Sequence, residues 1–350
     1  LSAKHIKPER IRRVVVRGTN WVGDAVMTVP ALRALRRVLP DARITLATRA
    51  WAAGLFADAD FVDDILAFNR TTPLRDVMSQ SRAWRQHGFD LALLLPNSFE
   101  SALVARAAGV PFRVGYAGDA RGWLLTHAVA RPAWKAARHE IFYYLNLVAE
   151  LENLLHGTRS AAQLEPEFAL TVPPERQAAA RELFLPPPSS LLPLIAFCPG
   201  STNSRAKRWP AESYARLGDT LAEKCGATIL LIGSADERDV SEMVAAQMHH
   251  APVNLTGRTK LAESVALLSL ADAFVTNDTG PAHIAAALGV KTYVIFGPTD
   301  PATTRPWGEN VTVLREPPDC APCMLRDCPI DHRCMTAITP EMVAAQMNYG

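Results

Sequence analysis

No apolar run in the 350-residue sequence comes near the length a bilayer-spanning helix needs; the longest, Leu91 to Pro96, is the size of a strand. The basic start, Leu1 to Arg13, precedes an apolar stretch too short for the core of a signal peptide, so a cytoplasmic location is expected. An excess of one charge sign is also missing. The net charge is +2, which gives no bulk attraction to nucleic acid, and no nucleic-acid partner is expected. The sequence has neither a P-loop ending in Lys-Ser/Thr nor a Gly-x-Gly-x-x-Gly, so the two familiar glycine-rich phosphate cradles are excluded. Low-complexity tracts and short repeats are absent as well. What is present is a globular composition, 49% hydrophobic and 21% charged, in a chain long enough for two cores.

The order of apolar runs predicts an α/β protein. Val14 to Gly18, Arg43 to Thr48, Asp64 to Phe68 and Leu91 to Leu95 read as short strands, with helical spacing over Ala25 to Leu39 and Phe99 to Ala108. Residues 154–192 lose this alternation and carry Pro166, Pro173, Pro174 and the run Leu185 to Ser190, which reads as a connection between domains. The alternation then restarts. Strands are expected at Leu194–Cys198, Thr228–Ile232, Val253–Leu255, Ala273–Thr276 and Thr292–Phe296, with helices between them. A last helix follows Thr339, with Pro340 at its first position. The expected domains are therefore 1–172 and 173–338, followed by a terminal helix at 339–350. Two parallel sheets direct the search for chemistry to the loops that follow each strand.

Four such loops carry candidate residues. After the first strand, Gly18 and Gly23 permit a tight turn into a helix that begins with Asp24. An acidic residue there commonly does no more than favour the helix dipole, but a carboxylate at a cleft can also take a proton from a sugar hydroxyl. The loop from Pro199 to Pro210 offers the hydroxyls of Ser201 and Thr202 and the ammonium of Lys207, a set suited to phosphate. After Gly233, Glu237 can take ribose hydroxyls or simply start a helix in solvent. The stretch Asn277-Asp278-Thr279-Gly280-Pro281 ends a strand and opens a helix whose free N–H groups suit an anion. Asp278 and His283 can bond sugar hydroxyls there, although a buried histidine is more often a core residue.

Six cysteines divide into two kinds. Cys198 and Cys225 lie in apolar settings and read as small core residues. Cys320, Cys323, Cys328 and Cys334 are spaced as a tetrahedral zinc centre would be, with His332 beside them. The alternatives are four reduced thiols, or two disulfides, which the expected cytoplasmic location disfavours.

Taken together, Gly23-Asp24, Leu95-Pro-Asn-Ser-Phe99, Cys198-Pro-Gly200, Ala206-Lys-Arg-Trp-Pro210 and Thr276-Asn-Asp-Thr-Gly280 with His283 resemble the glycosyltransferases of family 9, over nearly the whole chain. The resemblance implies the GT-B fold: two Rossmann-like domains whose parallel sheets face a cleft, with the final helix commonly crossing back to the first. It implies an ADP-heptose donor on the second domain and a lipid A–Kdo–heptose core acceptor on the first. The reaction implied is transfer of L-glycero-D-manno-heptose to the inner core of lipopolysaccharide, with inversion and with peripheral contact to the inner membrane. Asp24 becomes the general base. Ser201, Thr202 and Lys207 become diphosphate contacts and Glu237 a ribose contact, while Asp278, Thr279, Gly280 and His283 surround the diphosphate and heptose. No cofactor is required for chemistry if these groups suffice. Because the acceptor is anionic, Arg49 and Arg70 are expected to meet it. Two other classes remain open from the residues alone: a nucleotide-sugar epimerase of the same fold, and a non-catalytic binding protein.

Overall fold

Among the described residues twelve strands, all paired in parallel, make two sheets of six. This computed structural model describes residues 7–183 and 192–348. The expected proline run Leu185 to Ser190 and the first six residues lie outside that range. The chain divides into two compact units, Leu1–Phe168 and Ala169–Gly350. The division falls slightly before the expected 172/173 boundary.

In the first unit, β1 (Arg13–Arg17), β2 (Arg43–Arg49), β3 (Asp64–Phe68), β4 (Leu91–Leu94), β5 (Phe112–Tyr116) and β6 (His127–Val129) lie in the order β3-β2-β1-β4-β5-β6. The second unit contains β7 (Leu194–Cys198), β8 (Thr228–Leu231), β9 (Val253–Asn254), β10 (Ala273–Asn277), β11 (Lys291–Ile295) and β12 (Val311–Leu314), in the order β12-β11-β10-β7-β8-β9. Read from β9, this is the same order again, that of nucleotide-binding Rossmann sheets. In each sheet the direction of winding reverses between the first strand and the fourth. The switch points are thus β1/β4 and β7/β10, and the loops leaving those strands are where a ligand sits in such sheets.

The strands read as they do because both faces are covered. β4, β7 and β10 are buried at every position, which needs continuous apolar runs rather than alternation. Trp84, Leu94 and Val104 pack in one core; Phe197, Trp209, Tyr214, Val275 and Ile295 pack in the other.

Three features depart from the sequence reading. The single helix expected over Ala25 to Leu39 is two, Val22–Met27 and Val29–Val38, because Pro30 cannot donate the N–H that would continue the first. Part of the presumed linker is structured. Pro174 starts the helix Pro174–Arg181, which docks on the helix Leu261–Leu268 through Arg176 Nη2 and the Ala262 carbonyl at 2.7 Å. Proline at a first helical position initiates rather than breaks, since its missing N–H has no partner there anyway. The last helix, Pro340–Gln346, has Val343 and Ala344 buried in the second unit's own core, and the Arg216–Glu341 pair joins it to the helix Ala211–Cys225. Each large apolar side chain buried in this way contributes about 1.5–3 kcal/mol. No helix among the described residues is long and apolar enough to cross a membrane.

Candidate active site

In the first unit, β1 ends at Arg17 and the loop over Gly18 leads to the helix Val22–Met27, which carries Asp24 in its first turn. The approach at Gly18 is close: a Cβ there would meet the Thr48 hydroxyl at 3.1 Å. Asp24 is partly buried, and burial pushes its carboxyl up to about 6. The Glu140 carboxylate adds to the rise and the Lys135 ammonium opposes it. Lys135 and Glu140 are paired with each other. A carboxylate poised near neutral pH beside a fixed cation–anion pair is suited to accept a proton.

The loop after β4, on the other side of this switch point, is held by Arg121. That guanidinium is fully buried, and its environment lowers its pKa to about 10, mainly through burial. It donates to the Tyr116 carbonyl at 3.0 Å, to the Ser101 hydroxyl at 3.0 Å, to the Ser98 carbonyl at 3.2 Å and to the Pro96 carbonyl. Asn97 in turn donates to the Tyr143 hydroxyl at 3.0 Å. Sequence reasoning found the Leu95–Phe99 motif but not the arginine that shapes it, because Arg121 lies beyond β5.

Arg49 and Arg70 fall at the ends of β2 and β3, and the structure brings a third arginine to them. Arg17 is 3% exposed, and its Nε and Nη1 have no hydrogen-bond partner among the described residues. Its guanidinium lies 3.9 Å from the Phe68 ring centroid, and that of Arg49 lies 6.0 Å from the same centroid. Burial lowers the Arg17 pKa to about 10; Glu100, 3.9 Å away, opposes the shift, while Arg49 and Arg70 reinforce it. Arg49 and Arg70 thus stand near a desolvated guanidinium whose Nε and Nη1 are unsatisfied, an arrangement suited to an anion. Asp76 also lies close to Arg49 and Arg70, but it already accepts both the amide and the hydroxyl of Thr71.

In the second unit, the loop after β7 meets the loop after β10. Lys207 Nζ donates to Asp278 Oδ2 at 2.7 Å and to the Asp278 carbonyl at 3.3 Å. Thr299 Oγ1 donates to the same Oδ2 at 2.7 Å. Thr279 occupies the N-cap position of the helix Gly280–Ala287, so Asp278 holds Lys207 just before that helix begins. Asn277, fully buried, closes the cradle. Its Nδ2 donates to the carbonyls of Pro199 and Gly200, and its Oδ1 accepts the Trp209 amide at 2.9 Å and the Tyr214 hydroxyl at 3.2 Å. One side chain therefore ties both ends of the lysine loop to β10. Ser201 is buried and its carbonyl accepts from Arg208, whereas Thr202 is exposed.

Glu237 is also close. Its Oε2 accepts the amide and hydroxyl of Ser234 in a capping box, and its Oε1 would lie 2.5 Å from a Cβ at Gly200. Only glycine at 200 permits that approach. His283 is buried in the helix Gly280–Ala287. Arg17, Lys135, Glu140 and Asn277 were not assigned from sequence; of these only Asn277 lay inside a motif.

The four clustered cysteines are all free thiols, Cys320 exposed and Cys334 buried. Burial raises the Cys334 thiol, and Cys328, Cys323 and Cys320 add to the rise. Among the described residues no three or more His, Cys, Asp or Glu side chains are placed to hold a metal ion. Cys334 lies in the core, where its thiol would lie 3.0 Å from a Cβ at Gly297.

The chain is similar to known proteins in both sequence and fold. The model of glycosyltransferase family 9 (heptosyltransferase) matches residues 77–333. The chain is 30% identical over 314 residues to lipopolysaccharide heptosyltransferase 2 of Escherichia coli (strain K12), covering 87% of this chain and 88% of that protein. It is 31% identical to the protein of the same name from Salmonella typhimurium, with the same coverage. The solved structure of E. coli ADP-heptose LPS heptosyltransferase II has a TM-score of 0.81 at 29% identity, over 96% of this chain and 97% of that one.

Proposed function

The chain belongs to glycosyltransferase family 9, and on that footing we propose that it moves L-glycero-D-manno-heptose from ADP-heptose to the inner core of lipopolysaccharide, adding the second heptose with inversion at the anomeric carbon. The observation that carries this reading is the Lys207 ammonium, held by Asp278 at the start of the helix Gly280–Ala287. A cation and free helix N–H groups at the β7/β10 switch point suit a nucleoside diphosphate.

The chemistry follows from the two half-sites. The acceptor hydroxyl loses its proton to Asp24 as its oxygen attacks the anomeric carbon. The bond from that carbon to the diphosphate breaks, and ADP leaves with the electron pair. Lys207 and the amides at Thr279 and Gly280 take up the charge that develops on the leaving group. Ser201 and Thr202 border the diphosphate, Glu237 meets the ribose, and His283 lies toward the sugar. Inversion follows from a single displacement.

The acceptor is anionic and lipid-linked. Arg17, Arg49 and Arg70 form the site for one of its acidic groups. Trp21, Trp51 and Trp123 are exposed on the same unit, and an exposed indole favours a membrane interface. Peripheral contact with the acceptor's membrane through this unit is part of the proposal.

The test is release of ADP from ADP-heptose with and without a core acceptor lacking the second heptose. ADP should appear only with acceptor; release at the same rate without it would point to an epimerase-like or hydrolytic enzyme. In the same assay the double variant Arg49→Ala/Arg70→Ala should raise the acceptor KM about tenfold and leave the ADP-heptose KM unchanged. Its effect should shrink as salt rises, since these two side chains lie at the surface. A rise in donor KM instead would remove the arginines from the acceptor side.

A further inference from the structure

The cysteine-bearing segment has a place in the fold that neither metal binding nor the transfer chemistry accounts for. The lysine loop is tied at both ends by Asn277, but its middle, residues 204–206, is held by the chain more than a hundred positions later. The Ala206 amide donates to the Arg326 carbonyl at 2.9 Å. The Ala206 carbonyl lies 2.6 Å from His332 Nε2, and because a carbonyl can only accept, that nitrogen carries the proton. Ser204 Oγ donates to the Arg326 carbonyl at 3.1 Å. Both polar groups of the residue preceding Lys207 are therefore taken by this one segment. An Arg205–Asp327 pair at 2.7 Å joins the same two strips, but with both side chains more than half exposed it adds little.

The segment is itself anchored. The Met324 amide donates to the Pro298 carbonyl at 2.9 Å, just after β11, and Trp209 Nε1 donates to the Ile338 carbonyl at 2.7 Å. Cys334 and Met335 are buried in the core beside Gly297. His332 is set by its own backbone: φ is 58°, in the left-handed region, and its amide meets Cys328 Sγ at 3.3 Å. That backbone sets the direction in which the His332 Cβ leaves the chain, and the ring reaches Ala206.

We infer that His332 is a positioning residue for the donor site: through the Ala206 carbonyl it fixes the turn that carries Lys207, and the four-cysteine segment is the brace that holds it there. This rests on the reading of Lys207 as a diphosphate contact. Ala206 is 2% exposed, so its carbonyl has no water to replace a lost partner.

The test compares His332→Asn with His332→Gln in the full chain. Asparagine tolerates the left-handed backbone but is too short to reach Ala206; glutamine can place an N–H where Nε2 now lies. His332→Asn is expected to raise the KM for ADP-heptose and the dissociation constant for ADP by about fivefold to tenfold, with the acceptor KM unchanged. His332→Gln is expected to stay within about threefold of wild type. Wild-type donor values in His332→Asn, with only the melting temperature lowered, would reduce His332 to a structural residue and overturn the inference. Equal donor losses in Asn and Gln would overturn it too. Lys207→Ala, measured for ADP binding alongside, separates the two readings. If Lys207→Ala binds ADP normally, the donor-loop assignment has failed; if it binds poorly while His332→Asn does not, only the brace has failed.

Discussion

Asp24→Asn is expected to lower kcat by about a thousandfold while leaving the KM for ADP-heptose within about twofold. Asparagine keeps the size and the helix position of Asp24 but cannot accept the acceptor's proton. In the proposed mechanism the donor is held by the other unit, through Lys207, Asp278 and the helix Gly280–Ala287, so donor binding should not change. Steady-state kinetics with ADP release as the readout decides this; a variant with wild-type kcat would remove Asp24 from the mechanism.

The same residue predicts the pH profile and a stability effect of opposite sign. A general base works ionised, so wild-type kcat/KM should fall as pH drops through about 6, the value to which burial raises the Asp24 carboxyl. The folded state thus holds the proton more tightly than the unfolded chain, whose carboxyl titrates near about 3.9. Above pH 6 the ionised carboxylate costs folding energy, and below the unfolded value that cost is gone. Asp24→Asn should therefore raise the melting temperature at pH 8, by a gain of about 1–3 kcal/mol, and the gain should vanish toward pH 4. Loss of activity with a gain in stability is hard to produce by misfolding. An equal loss of stability at both pH values would mean that Asp24 serves packing or capping instead.

Much of the candidate site was legible because it is local. In a parallel sheet the loop after each strand is the loop that reaches the ligand, so Asp24, Lys207 and Asp278 could be found by reading on from Arg17, Cys198 and Thr276. What pairs with them was not legible. Lys135 and Glu140 approach Asp24 from more than a hundred residues away in sequence, and no local pattern records that contact. Arg17 falls inside the run Val14 to Gly18, and nothing local marks it as a binding residue; only the packing of Phe68 over it shows a buried cation. Strands were lost for similar reasons. Arg113 and Gly115 interrupt β5, and its arginine is satisfied by the carbonyls of Val110 and Leu124 rather than by solvent. The cysteine spacing left zinc and reduced thiols both open, a local inference. The bonds from residues 325–332 to residues 204–206 are tertiary, and they give that segment its place.

The pairing of Lys207 with Asp278 makes the largest prediction for the donor side, and it is non-additive. Asp278 is 7% exposed, and its Oδ2 is held by Lys207 and Thr299. Lys207→Met removes the cation proposed to meet the departing diphosphate, a loss that alone is worth about a hundredfold to a thousandfold. It also leaves a buried carboxylate with no counter-charge, placed in the proposed diphosphate site. That negative charge repels the donor, so kcat/KM for ADP-heptose should fall by about ten-thousandfold, beyond the loss of a single contact. Removing the charge as well should recover part of the loss: Lys207→Met/Asp278→Asn is expected to be about tenfold more active than Lys207→Met alone. Asp278→Asn by itself keeps the cation and should cost less than either. A double-mutant cycle on kcat/KM measures the coupling directly. If the double variant loses the product of the two single losses, the residues act independently and Asp278 meets the sugar rather than holding the lysine. If it recovers, the carboxylate's work is to orient Lys207 and to be neutralised by it until the diphosphate arrives.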